Sequence, residues 1–234
     1  MRFPSRLLAA NLFFMALVWG VFYVVVTLIT VAIAVFGTLR FSAWESAIQV
    51  SRWFLLFVGV ALIKEFMPLY IAHGQTRRQF GWHAAVTTCL YAPAAAALLT
   101  LGYLLEAGLY GLAGWSQALQ EPHLYDAPTQ VPLVFVTFLI ESLVWITGGA
   151  FMMAGFYRWR GGGLLTVPVG IALIVLAESS VGAQLYLPLL NRVPQPDITA
   201  GTLTAVAIGL ACFLVGLALT WPIIRDVPLR NKPS

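Results

Sequence analysis

Four charged residues lie inside long apolar runs, where charge is expensive: Lys64 and Glu65 side by side, then Glu141 and Glu178. On insertion scales a central Lys or Asp costs roughly 3 kcal/mol, so such groups face a bundle interior, a water-filled cavity or a partner. Their chemistry is ion pairing or proton carrying. Neighbours on a helix point about 100° apart, so Lys64 and Glu65 do not simply neutralise one another, and at least one needs another partner. Depth nominates it. At about 1.5 Å per residue, Lys64 lies roughly 16 Å below the outer end of its run and Glu141 roughly 15 Å below the outer end of its own. The expectation is a Lys64–Glu141 pair across helices or across a subunit interface. Glu178 falls in the outer third of its run, and Glu106 should reach the outer interface.

A second constellation is basic and lies between two apolar runs: His73, Gly74, Gln75, Thr76, Arg77, Arg78, Gln79 and Phe80. Gly74 tolerates the left-handed conformation that ends a helix, so a tight polar turn is expected before the next run begins at Phe80. A third constellation, Arg158, Trp159 and Arg160 followed by glycines 161–163, lacks the G-x-x-x-x-G-K-[ST] pattern of a phosphate-cradling loop and reads as a flexible joint. No Walker lysine motif, kinase signature, H-E-x-x-H or G-x-S-x-G occurs. The chain is not expected to be an enzyme, nor to bind a cofactor or metal itself. Glu121, His123 and Asp126 share a proline-bearing segment, but without helical spacing they read as a solvated acidic loop.

The elements that must position these residues are membrane helices. Of 234 residues 60% are hydrophobic and 9% charged, more apolar surface than a soluble domain of this length can hide. Six runs are long enough to span a bilayer: 7–37, 53–71, 80–112, 131–156, 164–182 and 198–224. They make one all-α, multi-pass transmembrane domain, 1–234, with no soluble domain left over. The first run is too long for a signal-peptide core and reads as a retained span.

The net charge of +4 follows topology and gives no support for a nucleic-acid partner. Arg2 and Arg6, Arg77 and Arg78, Arg158 and Arg160, and Arg225, Arg230 and Lys232 alternate with segments poorer in cations, where Arg40, Arg52 and Arg192 fall. Such asymmetry predicts both termini inside. Cys89 and Cys212 lie in apolar runs as small hydrophobes. Pro93 predicts a kink in the third span, beside an alanine run that permits close helix approach. Residues 185–192, apolar but too short to cross, suit a re-entrant or interfacial outer element.

The G-x-T-R-R-x-F pattern of residues 74–80, placed directly after the second of six spans, resembles the first cytoplasmic loop of permease subunits in bacterial type-2 ABC exporters. The resemblance implies a short cytoplasmic coupling helix over 74–80 that docks on a separate ATPase subunit, which would bind the ATP and magnesium. It further implies a second permease subunit, in a homo- or heterodimer, in the lipid of the bacterial cytoplasmic membrane. The cargo would be an amphipathic peptide antibiotic, drug or lipid. By the same resemblance the N-terminal segment becomes an amphipathic elbow, the Arg158–Arg160 loop a secondary ATPase contact, and the element before the sixth span a closure of the outer mouth, with Glu178 near that gate. Two other classes stay open. A proton-coupled secondary transporter would use Glu141, Glu178 and Lys64, and predicts internal inverted repeats, of which none is convincing. In a non-transporting scaffold or sensor subunit the membrane charges would serve only as interhelical glue.

Overall fold

The computed structural model describes residues 5–115, 117–187, 191–192, 196 and 201–226. Arg2, Arg230 and Lys232, the side chain of Arg6, positions 188–190 and the expected start of the last span at Ile198 lie outside the described residues.

The chain is a bundle of helices: α1 (Ser5–Phe36), α2 (Ala43–Ala61), α3 (Met67–Ala72), α4 (Arg77–Ala113), α5 (Val131–Trp159), α6 (Thr166–Ser180) and α7 (Thr202–Arg225). A π-helical turn, Leu62–Phe66, joins α2 to α3 without a break, and a 3-10 turn, Arg160–Leu165, joins α5 to α6. Five helical runs are long and apolar enough to cross a membrane. One of them, Val131–Ser180, is a hairpin. Along its two arms a Cβ on Gly148 would meet Ile174, one on Gly170 would meet Met152, and one on Gly155 would meet Thr166, so α6 runs back along α5. At 15 residues α6 rises only about 22 Å, less than a typical hydrocarbon core of about 30 Å.

Helix α5 is the axis of the molecule. Every residue from 140 to 149 is buried, which leaves this stretch no face for lipid, as expected of a helix apolar all round and packed on every side. It packs against α2, α4, α6 and α7. Against α2 the approach is backbone to backbone. A Cβ on Gly59 would stand 1.9 Å from the Ile146 carbonyl oxygen, and one on Gly149 would stand 2.1 Å from that of Leu56. Helix α1 lies at the other extreme: Met15 and Trp19 are buried, while Phe13, Leu17, Val24 and Leu28 are exposed.

Ends of helices account for most of the polar structure. Gly74, with φ +77°, ends α3 in the left-handed conformation expected of it. Thr76 then opens α4 with a capping box: its hydroxyl accepts from the Gln79 N–H, and Gln79 Oε1 accepts from the Thr76 N–H. Residues 77–80 are therefore the first turn of a 37-residue helix, and the separate short coupling helix expected over 74–80 is absent from the fold. At the far end of the bundle Glu106 is buried and holds the start of α2, accepting from the Ser42 hydroxyl at 2.5 Å and the Trp44 N–H at 2.8 Å. A carboxylate there complements the positive end of α2.

The second span begins at Ala43, ten residues before the expected boundary at 53. The apolar run does start near Trp53, but Glu45, Gln49 and Arg52 recur at i, i+4 and i+7, which places them on one stripe of a helix that extends further. The segment before α7 contains a two-residue antiparallel pair, β1 (Tyr186–Leu187) with β2 (Asn191–Arg192), in the register Tyr186 to Arg192. Glycines 161–163 belong to the ordered 3-10 turn. A Cβ on Gly163 would stand 2.4 Å from the Phe156 backbone, so the segment is a folded corner and not a loose joint.

Candidate functional site: a buried charge cluster beneath a polar cavity

The polar stripe of α2 ends on Arg52, which is 7% exposed. Its guanidinium forks onto Glu141 of α5, with Nη2 donating to Oε1 at 2.9 Å and Nε donating to Oε2 at 3.2 Å. The planar fork matches the two carboxylate oxygens, a geometry that lysine cannot reproduce. The same Nη2 lies 3.2 Å from Glu178 Oε2 of α6. The remaining nitrogen, Nη1, donates to the Gln184 carbonyl at 2.9 Å and to Gln49 Oε1 at 3.1 Å. Glu178 also accepts the indole N–H of Trp145 through Oε1, at 2.5 Å. One arginine thus ties together three helices and the turn after α6.

Glu141 and Glu178 are 2% and 1% exposed. With both ionised, the set carries one cation against two anions. Taking such groups out of water costs several kcal/mol per ion, recovered only through good geometry and filled hydrogen bonds. Both conditions hold between Arg52 and Glu141, whereas Glu178 Oε2 lies 3.2 Å from Nη2 as an ion pair without a hydrogen bond. Within this chain the Lys64–Glu141 pair expected across helices does not form. Lys64 Nζ instead lies 3.7 Å from Glu65 Oε1, and both side chains are exposed, 61% and 67%. With α2 starting at Ala43, Lys64 is 21 residues along the span and roughly 31 Å down, whereas Arg52 is nine residues along and roughly 14 Å down, level with Glu141. The residues sit in the π turn, whose wider winding brings consecutive side chains nearer than an α-helix would.

Above the cluster a cavity of about 380 Å³ is lined by Glu45, Gln49, Arg52, His123, Glu141 and Gln184, among others. Glu45 organises its rim, accepting the Gln120 and Glu121 N–H groups and lying 2.8 Å from His123 Nε2. His123 stacks on Tyr125, ring centroids 4.7 Å apart and planes within 5°. Burial pushes the Tyr125 phenol well above its ordinary pKa, so it remains a neutral donor, here to the Tyr103 hydroxyl at 3.2 Å. Gly182, φ +76°, turns the chain tightly under this loop, where a Cβ would crowd the Pro122 carbonyl oxygen and His123 at 3.3 Å. The segment read as a solvated acidic loop is in fact docked by Glu45. Among the described residues no group of three or more His, Cys, Asp or Glu is placed to hold a metal ion.

The other expected site residues gather at the opposite end. Arg77 is half-buried, Arg78 and Gln79 are exposed, and Phe80 is wholly buried with its ring edge-on to Tyr70. Arg158 donates through Nη1 to the carbonyls of Pro222 and Ile223, both at 3.1 Å, and so fastens the last turn of α7 to the end of α5. Arg160 is exposed, with φ +51°. Arg77, Arg78, Arg158, Arg160 and Arg225 thus share one end of the bundle, here the basic end.

Comparison of the chain with family models, with curated proteins and with solved structures finds no match.

Proposed function

We propose that the chain is the six-span permease subunit of a bacterial type-2 ABC exporter, with the basic end and both termini in the cytoplasm. The observation that carries the reading is the turn at residues 74–80. It is a rigid basic surface, fixed by a left-handed glycine and a capping box, on the end of a helix about 55 Å long. A force applied there by an ATPase subunit would travel along α4 as one rod. The fifth span in this reading is α6, short enough to require local thinning of the bilayer. In place of a detached coupling helix, the first turn of α4 takes the ATPase contact. The Arg52–Glu141–Glu178 cluster then latches α2, α5 and α6 in the outer half of the bundle and must shift when the pathway opens outward. ATP and magnesium belong to the partner ATPase, and a second permease subunit completes the pathway for an amphipathic cargo.

The test is co-purification with any ATPase subunit encoded beside this chain, comparing wild type with Arg77→Glu/Arg78→Glu. Loss of the ATPase from a permease that keeps its helix content is expected. No associated ATPase, or unchanged binding and coupled hydrolysis after charge reversal, overturns the reading. One observation favours a second reading, proton-coupled transport: Glu141 lines a cavity and Glu178 lies directly behind it on the same arginine. That reading requires transport in vesicles driven by a pH gradient without ATP and abolished by Glu178→Gln.

A further inference from the structure

At the basic end an apolar groove of about 510 Å³ opens between the π turn and helices α4, α5 and α7, walled by Ile63, Ala85, Ala150 and Leu217. Its size falls within the ~300–1,000 Å³ typical of small-molecule sites. Three features give it a chemical preference. Arg78 lines it and, among the described residues, has no hydrogen-bond or ion-pair partner. Arg77 and Arg78 open α4, whose first turn contains no acidic residue, so Arg78 stands on the positive end of a helix dipole. Thr147 also lines the groove. It is 3% exposed and its hydroxyl has no partner, while a Cβ on Gly216 would meet its methyl group, so that side of the residue is already packed against α7.

We infer that this groove holds one anionic phospholipid, with an acyl chain along the apolar wall, its phosphate on Arg78, and an ester carbonyl accepting from Thr147. Trp82 and Trp221, which also line the groove and are 53% and 38% exposed, are residue types that favour the headgroup level of a bilayer, the depth such a phosphate occupies. A zwitterionic lipid would place its own cation near Arg78 and lose that advantage. The site does not depend on ATPase docking.

The experiment is native mass spectrometry of the purified full-length chain after exchange into dioleoyl phosphatidylglycerol or dioleoyl phosphatidylcholine. The wild type should retain one phosphatidylglycerol at about fivefold the level of phosphatidylcholine, as one basic residue at a membrane surface implies. Arg78→Gln should reduce retention to the phosphatidylcholine level. Arg77→Gln, which removes the same charge one residue away from the groove lining, should leave it intact. Ala85→Leu should fill the groove and expel both lipids, with helix content followed by circular dichroism. Equal retention of the two lipids by wild type, equal loss in both arginine variants, or unchanged retention in Ala85→Leu at native helix content overturns the proposal. None of these results bears on the pull-down that tests ATPase docking.

Discussion

An arginine at the depth of Arg52 is tolerated because each of its three nitrogens donates to an acceptor, and removing either side of that arrangement leaves a buried charge unpaired. Arg52→Met should destabilise the purified protein by about 3–5 kcal/mol in denaturant titrations, the usual cost of breaking a buried pair. Adding Glu141→Leu should restore part of the loss, with a coupling of at least ~1 kcal/mol. Lys64 should behave differently. Lys64→Met should change stability by no more than ~0.5 kcal/mol and should combine additively with Glu141→Gln, because its partner is exposed Glu65. The contrast also shows what sequence reading can reach. Glu141 and Glu178 stand out as lone charges in apolar runs, but their cation sits where hydropathy has already fallen below that of a span. The signal that would have found Arg52 is periodic: Glu45, Gln49 and Arg52 share one helical stripe, visible only once helical spacing is followed beyond the apolar window.

Elements with strong local signals are the ones sequence foretells. The left-handed Gly74, the start of a span beside Phe80 and the long apolar helices follow from residue type and run length. Contacts between elements do not. That α2 and α5 touch through Gly59 and Gly149 depends on two glycines 90 residues apart meeting at one crossing, and nothing local distinguishes them from Gly20 or Gly108, which have open space around them. Gly149→Ala should therefore destabilise by about 1–3 kcal/mol through overpacking, read as a lower thermal midpoint in detergent, whereas Gly108→Ala should not lower it. The π turn at Leu62–Phe66 does have a local signal, because Pro68 lacks the N–H that an α-helix would donate to the Lys64 carbonyl. Pro93, where the third run was expected to kink, lies inside α4, which is helical on both sides of it.

For the whole molecule, the arginines of the basic end fix orientation if the positive-inside rule governs insertion. In a Cys89→Ser/Cys212→Ser background, Gln120→Cys should react with a membrane-impermeant maleimide on intact cells, and Arg160→Cys only after permeabilisation. The reverse pattern would invert the orientation proposed for the turn at 74–80. The order of synthesis bears on the same architecture. Arg52 leaves the ribosome 89 residues before Glu141 and 126 residues before Glu178. At translation rates of ~5–20 residues per second, the wait for Glu141 is about 4–18 s. During that interval the second helix has a charged stripe and no carboxylate of its own network to receive it. Within a bilayer Arg52 is therefore without its carboxylates until α5 arrives, at a cost of roughly 3 kcal/mol on insertion scales.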